Sequence, residues 1–357
     1  MNFDYNEEQQ LLADSVRRFL ARDYGFEARR KIVASEEGWS PKVWDTFAAM
    51  GLTGLPFSAD YGGFGGGAVD LMGVMDAFGE SLVVEPYLPT LMAGRIVAGS
   101  ALAGSILPAV VEGRMKLAFA HAEKGARYDL SAVTTRARKS GDAWRLEGEK
   151  ASVVGAPMAD RLVLSARTPD GIGLFLTQRQ DGKAHRTLDG MRAADLVFSG
   201  EKAERLEGGL ALIEELTDFA AALVCAEAVG AMKFACDTTL EYLKTRRQFG
   251  VPIGTFQALQ HRMVDMFIAQ EQARSMACLA CSKVDSDAEP KDRARAVSAA
   301  KIKIADSARH ISQESVQLHG GMGMSEELKI SHSFRRLTVI AGQFGDADHH
   351  LARFASL

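Results

Sequence analysis

The period of the hydrophobic pattern changes twice along this chain, and the two changes leave few folds open. Up to about Met115 the apolar residues recur at helical spacing. Leu12, Val16, Phe19 and Leu20 form one stripe, and Leu71, Met75, Phe78 and Leu82 form another. Ser40-Pro41 reads as an N-cap with proline at the first helical position, Trp44 and Phe47 facing inward and Gly51 closing the helix. Beyond Met115 the apolar runs shorten: Lys116–Ala120, Ala143–Glu147, Arg161–Ser165 and Gly173–Thr177, punctuated by Ser140-Gly141-Asp142 and by Thr168–Gly173. That is strand and turn spacing. After Gly208-Gly209 the helical period returns and persists. Leu259, Met263, Met266, Ala273, Ala277 and Ala280 mark one face, and Val297, Ile304, Ile311 and Leu318 recur every seven residues behind Pro290. Such a seam wants a partner helix, within a bundle or across subunits. The chain therefore reads as an α+β multidomain protein: a helical domain over 1–115, a β domain over 116–208 and a helical bundle over 209–357.

With 357 residues, 47% of them hydrophobic, each part has material for a core. A formal charge of -4 gives no general attraction to nucleic acid or an anionic membrane, so any phosphate site must be a local cluster. The N-terminus has no basic or apolar leader pattern and no uninterrupted apolar run is long enough to span a bilayer, which predicts a soluble cytoplasmic protein. Cys225, Cys236, Cys278 and Cys281 lie in apolar helical patterns, as reduced core residues do. Cys278 and Cys281 share a helix face, but no second pair completes a zinc set. The loop Leu55–Gly67 is glycine-rich, and its residues fit a flexible surface loop and a ligand-facing one equally.

Two turns in the last third carry the most specific chemistry. Lys244-Thr-Arg-Arg-Gln-Phe-Gly250, with Val251-Pro-Ile-Gly254 and Phe256-Gln257 behind it, joins two long helical patterns; Gln317-Leu-His-Gly-Gly-Met-Gly-Met324 ends a third. A guanidinium presents a rigid fork to phosphate oxygens, and glycines let backbone N–H groups come close. The pair reads as a holder for the phosphates and adenine of a dinucleotide. A solvated basic cluster is also favourable at a helix C-terminus, and the residues alone leave Arg246 and Arg247 open between the two readings.

On these residues the chain resembles the acyl-CoA dehydrogenase superfamily along its full length. Arg246–Gly250 with Pro252-Ile253 and Phe256-Gln257 is similar to that family's R-x-x-F-G … P-I … F-Q segment, and Gln317–Gly323 to its Q-x-x-G-G-x-G segment. Leu55-Pro56 with Tyr61-Gly-Gly-Phe-Gly65 is similar to its L-P … Y-G-G-x-G loop. The resemblance implies an N-terminal helical domain, a middle β-barrel and a C-terminal four-helix bundle that builds the oligomer. It implies FAD, bound partly across a subunit interface. Arg246 would meet the pyrophosphate, Phe249 and Gln257 would line the adenine end, and Gln317, Gly320 and Gly321 would approach from the neighbouring subunit. It further implies α,β-dehydrogenation of an acyl-CoA thioester, a carboxylate taking the α-proton while the β-hydride goes to the flavin, with an electron-transfer flavoprotein as acceptor.

The residues that chemistry needs are missing. Gly345 stands where the family carries its glutamate near the C-terminus, and Ala220 stands at the second family location, with Ala221 in place of an arginine. Neither glycine nor alanine accepts a proton. Asp346 and Asp348 lie next to the first place, and some relatives acting on nitroalkanes use an aspartate there. A one-residue shift would make Asp346 a fallback base; otherwise the two are turn residues. His349 and His350 follow, with no metal partner in view. In the β domain Gly148-Glu-Lys150 precedes Ser152 in place of the family's flavin-side Trp and Val154 in place of its hydroxyl, and the T-E-P-x-A-G-S-D segment has become His121–Arg127.

What is kept serves a cofactor across an interface, and what is lost serves this chain's own flavin ring and substrate. The expectation is one subunit of a heteromeric acyl-CoA dehydrogenase. It resembles the small subunit of bacterial α2β2 enzymes acting on CoA thioesters of steroid side chains, dicarboxylic or other bulky acids, whose partner supplies the base. Two alternatives stay open: a self-sufficient homo-oligomeric flavoenzyme with Asp346 as base, and a non-catalytic CoA-ester-binding or scaffold protein.

Overall fold

The computed structural model describes residues 5–141 and 143–357, so Asp142 of the expected turn lies outside the described residues. Helices α1 (Glu7–Asp23), α2 (Phe26–Ala34), α3 (Pro41–Ala49), α4 (Ala68–Ser81), α5 (Tyr87–Ala98) and α6 (Ala103–Val111) come first. Strands β1 (Leu117–Ala120), β2 (Arg136–Ser140), β3 (Ala143–Val154), β4 (Arg161–Thr168), β5 (Gly171–Gln178), β6 (Lys183–Arg186) and β7 (Arg192–Leu206) follow. Then come α7 (Leu210–Thr245), the short strands β8 (Arg247–Gln248) and β9 (Val251–Pro252), α8 (Gln257–Val284), α9 (Pro290–Leu318), α10 (Lys329–Gly342) and α11 (Ala347–Ser356). The chain forms two compact units. One gathers the residues up to Arg30, Ala68–Val83 and Ala221–Leu357; the other gathers Lys31–Gly67 and Val84–Ala220.

The second unit is a small barrel with helices. Its strands run β1-β4-β2-β3-β7-β5, and β4 pairs again with β5, so the sheet closes on itself and β6 adds to β7. Closure removes the exposed edges that a strand otherwise presents. Leu146, Leu162, Leu164, Phe175, Leu196 and Phe198 fill the interior. The α3 helix starts as its sequence predicts: Ser40 Oγ accepts the Val43 N–H at 3.3 Å, Pro41 follows the cap, and Trp44 and Phe47 are buried. The glycine-rich loop is not loose. Phe64, Gly65 and Gly66 N–H groups bond back to the carbonyls of Gly54, Phe57 and Leu55, and a Cβ at Gly63 would stand 2.2 Å from the Phe57 carbonyl oxygen.

One charge pair at the barrel wall was not expected from the sequence. Lys150 is fully buried and donates to Glu123 Oε1 at 2.8 Å, to the His121 carbonyl at 3.1 Å and to Ser165 Oγ at 3.1 Å. Glu123 also accepts from the N–H groups of Thr134 and Thr135. Burial alone would raise the Glu123 carboxyl, but the bonds from Lys150, Thr134 and Thr135 outweigh it and bring it from 4.5 down to about 2. Between those values the unfolded chain binds the proton that the folded chain refuses. Stability from this group is therefore full above pH 4.5 and is lost as the pH falls toward 2. Urea melts over that range should show Glu123→Gln with a flatter acid limb than wild type; an equal slope in both would remove Glu123 as the cause.

The first unit is the helical bundle with α1 and α4 packed on it. Arg17 bonds Asp76 at 2.6 Å, tying α1 to α4. Asp285, just past α8, accepts from the Ala68 and Val69 N–H groups at 2.7 and 2.8 Å and so caps α4. The α4 and α7 backbones touch: a Cβ at Gly79 would lie 1.8 Å from the Glu227 oxygen, and one at Gly230 would lie 1.8 Å from the Asp76 oxygen. The seam of Val297, Ile304, Ile311 and Leu318 is buried within the chain's own bundle. Among the described residues α7 is the one helix long and apolar enough, by length and composition, to cross a membrane, and 89% of its most apolar window is buried in the fold.

Candidate cofactor and catalytic positions

The end of α7 builds the first turn. Arg246 N–H bonds the Tyr242 carbonyl at 2.8 Å, and Ile253 N–H returns to the Arg246 carbonyl at 2.8 Å. Between them β8 and β9 pair, Arg247 opposite Pro252 and Gln248 opposite Val251. The two linking residues, Phe249 (φ 53°) and Gly250 (φ 83°), both take positive φ, as a type I′ turn requires. Gly250 adopts this freely; Phe249 is held in it. Arg247 is used inside the hairpin, its Nη2 donating to the Gly250 carbonyl at 3.0 Å. The Arg246 side chain is exposed and makes no hydrogen bond or ion pair among the described residues. The structure thus leaves free Arg246, which the family resemblance assigned to the pyrophosphate, and engages Arg247, which it left unassigned. Phe249 is 91% exposed and meets Phe256 edge to face at 6.2 Å. Gln257, also exposed, opens α8.

The second turn is anchored to the first. Gln317 is exposed on the last turn of α9, and His319 behind it is buried. His319 Nδ1–H donates to the Ser315 carbonyl at 2.8 Å, and its ring stacks on Tyr242 with centroids 4.4 Å apart. Tyr242 is the residue whose carbonyl receives Arg246. The exposed glycines Gly320 (φ 60°) and Gly321 have open space where a Cβ would be. Arg246, Phe249, Gln257, Gln317, Gly320 and Gly321 thus belong to one unit of one chain, with His319 and Tyr242 joining the two turns. An uncommitted guanidinium, an exposed aromatic ring and an open glycine turn fit the pyrophosphate and adenine of a dinucleotide. Exposed apolar side chains continue along this unit: Val251, Val264, Phe267, Ile268, Met322 and Met324.

The base positions are different in kind. Ala220 and Ala221 are fully buried inside α7. Gly345 is buried in the α10–α11 loop, with φ 119°, after Phe344 at φ 60°. A Cβ there would lie 2.5 Å from His350 Nε2 and 2.7 Å from His349 Cδ2. Two groups hold the loop. Buried Lys301 donates to the carbonyls of Ile340 and Gln343, both at 2.7 Å, which caps the C-terminus of α10. His350 Nε2–H donates to the Phe344 carbonyl at 3.1 Å, leaving Nδ1 to accept from Ser298 Oγ at 3.2 Å. Burial, then the Lys301 charge, pushes His350 down to about 3, so it stays neutral. Asp346, the fallback base, is the N-cap of α11, with Oδ1 accepting the His349 N–H at 2.9 Å. Aspartate ahead of a helix is a cap signal readable from sequence. No group of three His, Cys, Asp or Glu that would hold a metal occurs among the described residues.

In the barrel Ser152 is exposed, and its Oγ lies 3.1 Å from His185 Nε2. Val154 ends β3. Ser152 offers a flavin ring no aromatic wall, and Val154 offers it no hydroxyl.

Three family models of the acyl-CoA dehydrogenase cover the chain: the N-terminal domain over residues 6–100, the middle domain over 118–200 and the C-terminal domain over 207–355. The acyl-CoA dehydrogenase IpdE2 of Mycobacterium tuberculosis is 30% identical, over 92% of this chain and 91% of that protein. The caffeyl-CoA reductase-Etf complex subunit CarC of Acetobacterium woodii is 26% identical over 94% of both. A solved variant of the Tcur3481-Tcur3483 steroid ACAD is 30% identical with a TM-score of 0.90, covering 98% of this chain and 97% of that one. With all three domains in order and a full-length relative at this identity, the chain belongs to the acyl-CoA dehydrogenase family, whose members are FAD-binding oxidoreductases acting on the CH–CH bond of acyl-CoA.

Proposed function

We propose that this chain is the cofactor-completing subunit of a heteromeric acyl-CoA dehydrogenase, and that a related partner supplies the catalytic base and the flavin-ring contacts. One contrast carries the reading. The turn pair at Arg246 and Gly320 is open and uncommitted, whereas the place for a base at Gly345 is occupied by His350 and the other, at Ala220, is a buried methyl.

Arg246 would bind the pyrophosphate through its free guanidinium, and the backbone around Gly320 and Gly321 would add N–H donors. Phe249 would cover the adenine, with Gln257 and Gln317 at its edge. FAD, when bound, supplies the acceptor for the β-hydride. No side chain at Gly345 or Ala220 takes the α-proton, so that transfer falls to the partner. The exposed apolar residues from Val251 to Met324 are where the partner would sit. A steroid-side-chain or other bulky acyl group is proposed from the likeness to the Tcur3481-Tcur3483 steroid ACAD. An electron-transfer flavoprotein is proposed as acceptor from the likeness to CarC, named for an Etf complex.

The test is expression of this chain alone and together with a family member that carries the glutamate. Flavin is counted per chain, and acyl-CoA oxidation is followed with a dye acceptor. The expected result is a colourless, inactive chain alone and a yellow, active complex. A fully yellow and active chain without a partner would end this reading.

A further inference from the structure

The turn at Arg246 and the turn at Gly320 end different helices, α7 and α9. Each is fixed to its own helix by close backbone packing. A Cβ at Gly254 would lie 3.0 Å from the Leu243 carbonyl oxygen, and one at Gly323 would collide with the Val316 carbonyl. Those contacts do not set the distance from one turn to the other. Two side-chain links cross between them. Arg262 of α8 pairs with Glu314 of α9 where both are partly exposed, so water and salt weaken the attraction. His319 meets Tyr242 out of water, the histidine being 4% exposed.

The His319 ring is pinned in two directions. Its Nδ1 faces the Ser315 carbonyl at 2.8 Å, and a carbonyl only accepts, so Nδ1 carries the proton and the ring is held against the last turn of α9. Its face lies on Tyr242, with centroids 4.4 Å and planes 25° apart. The Tyr242 carbonyl in turn takes the Arg246 N–H at 2.8 Å. The residue directly before the open glycines is thus linked, ring on ring, to the residue that anchors the free arginine. Burial pushes His319 below its ordinary 6.5, so the ring is neutral near pH 7. It brings no charge to the site; what it contributes is position. A ligand that touches both turns gains when they already stand at the right spacing, because it does not bear the entropy of bringing them together.

We propose that His319 is a positioning residue for FAD: through its stack on Tyr242 it holds the Arg246 backbone and the glycine turn at one spacing, so that both turns engage the same cofactor molecule. The inference rests on the reading of Arg246 as the pyrophosphate ligand. The arginine side chain keeps rotations of its own, and the stack fixes the point from which it reaches. With either ring gone, each turn stays packed on its helix but the two lose their common reference. The guanidinium and the glycine N–H groups then no longer bind as one unit. The contributions of Arg246 and His319 are therefore coupled rather than additive.

The test uses the FAD-loaded holoenzyme with its co-expressed partner. The FAD dissociation constant is read from flavin fluorescence released on dilution, and Tm is read in parallel. His319→Ala should weaken FAD binding about 10-fold, whereas His319→Phe keeps a ring on Tyr242 and should stay within about threefold of wild type. Tyr242→Leu removes the other ring, keeps the carbonyl, and should match His319→Ala. Arg246→Ala with His319→Ala should bind FAD within about twofold of Arg246→Ala alone. Ile304→Ala, a cavity elsewhere on α9, is the stability control: it should lower Tm at least as far as His319→Ala and leave FAD binding within about twofold. FAD losses that follow Tm across all these variants, or additive losses in the double variant, would overturn the inference. So would full binding in His319→Ala and Tyr242→Leu beside a loss in Arg246→Ala, which leaves the reading of Arg246 standing. Full binding in Arg246→Ala would remove that reading and the inference with it.

Discussion

Gly345→Glu is expected to destabilise the chain by roughly 2–6 kcal/mol and to add no dehydrogenase activity. Two effects combine. At φ 119° a residue with a Cβ is strained, by about 1–3 kcal/mol. That Cβ would also stand 2.5 Å from His350 Nε2, so the ring must move from its bonds to Phe344 and Ser298. Overpacking of this kind costs about 1–3 kcal/mol. At the size of this chain's bundle the sum corresponds to a fall in Tm of about 10 °C. The loop has no easy way to yield, because Lys301 fixes it from α9 through two carbonyls and Asp346 fixes it by capping α11. Thermal melts and dye reduction of the co-expressed complex check both halves of this expectation. His350→Ala in the Gly345→Glu background should recover part of the stability, since it removes the clash but not the backbone strain. A Gly345→Glu chain that melts like wild type and gains turnover would show that the place of the base is open after all.

Arg246→Ala is expected to weaken FAD binding in the assembled complex by about 10- to 150-fold, the worth of roughly 1.5–3 kcal/mol for hydrogen bonds to a charged group. The Arg246 side chain is exposed and has no internal partner among the described residues, so the fold should hold within about 0.5 kcal/mol. Arg247→Ala should act differently. It removes the bond to the Gly250 carbonyl and loosens the hairpin that presents Phe249, a milder and indirect loss. Flavin content per complex during stepwise dialysis, with the melting temperature as control, separates the two. Unchanged flavin retention in Arg246→Ala would return Arg246 to the reading of a solvated cation at a helix end.

Much of this was legible beforehand. The strands β1, β3, β4 and β5 correspond to runs whose apolar residues betray them. β2 and β7 do not. Arg136–Ser140 is exposed except at Ala137, and the fifteen residues of β7 mix Asp195, Glu201, Lys202 and Glu204 with their buried positions. Those strands exist because neighbours satisfy their backbones in a closed sheet, which no local pattern records. Lys150 reads as a surface residue and is the most deeply paired cation of the barrel. Glu227 and Arg336, 109 residues apart, meet as a buried bidentate pair at 2.6 Å, again without a local signal.

Hydrophobic period, cap residues and the absence of a carboxylate are properties of short stretches. From the sequence alone these determined the order of helical, β and helical parts and the family, and they marked the turns at Arg246 and Gly320 and the lack of a carboxylate at Gly345 and Ala220. Only the tertiary structure decided that Arg246 is free while Arg247 is engaged and that Asp346 caps a helix. It also joined the turns at Arg246 and Gly320 through His319 and Tyr242, and it packed His350 against Gly345. Each of those depends on which side chains from distant stretches reach the same few ångströms, and close packing settles that only once the helices and the barrel have assembled.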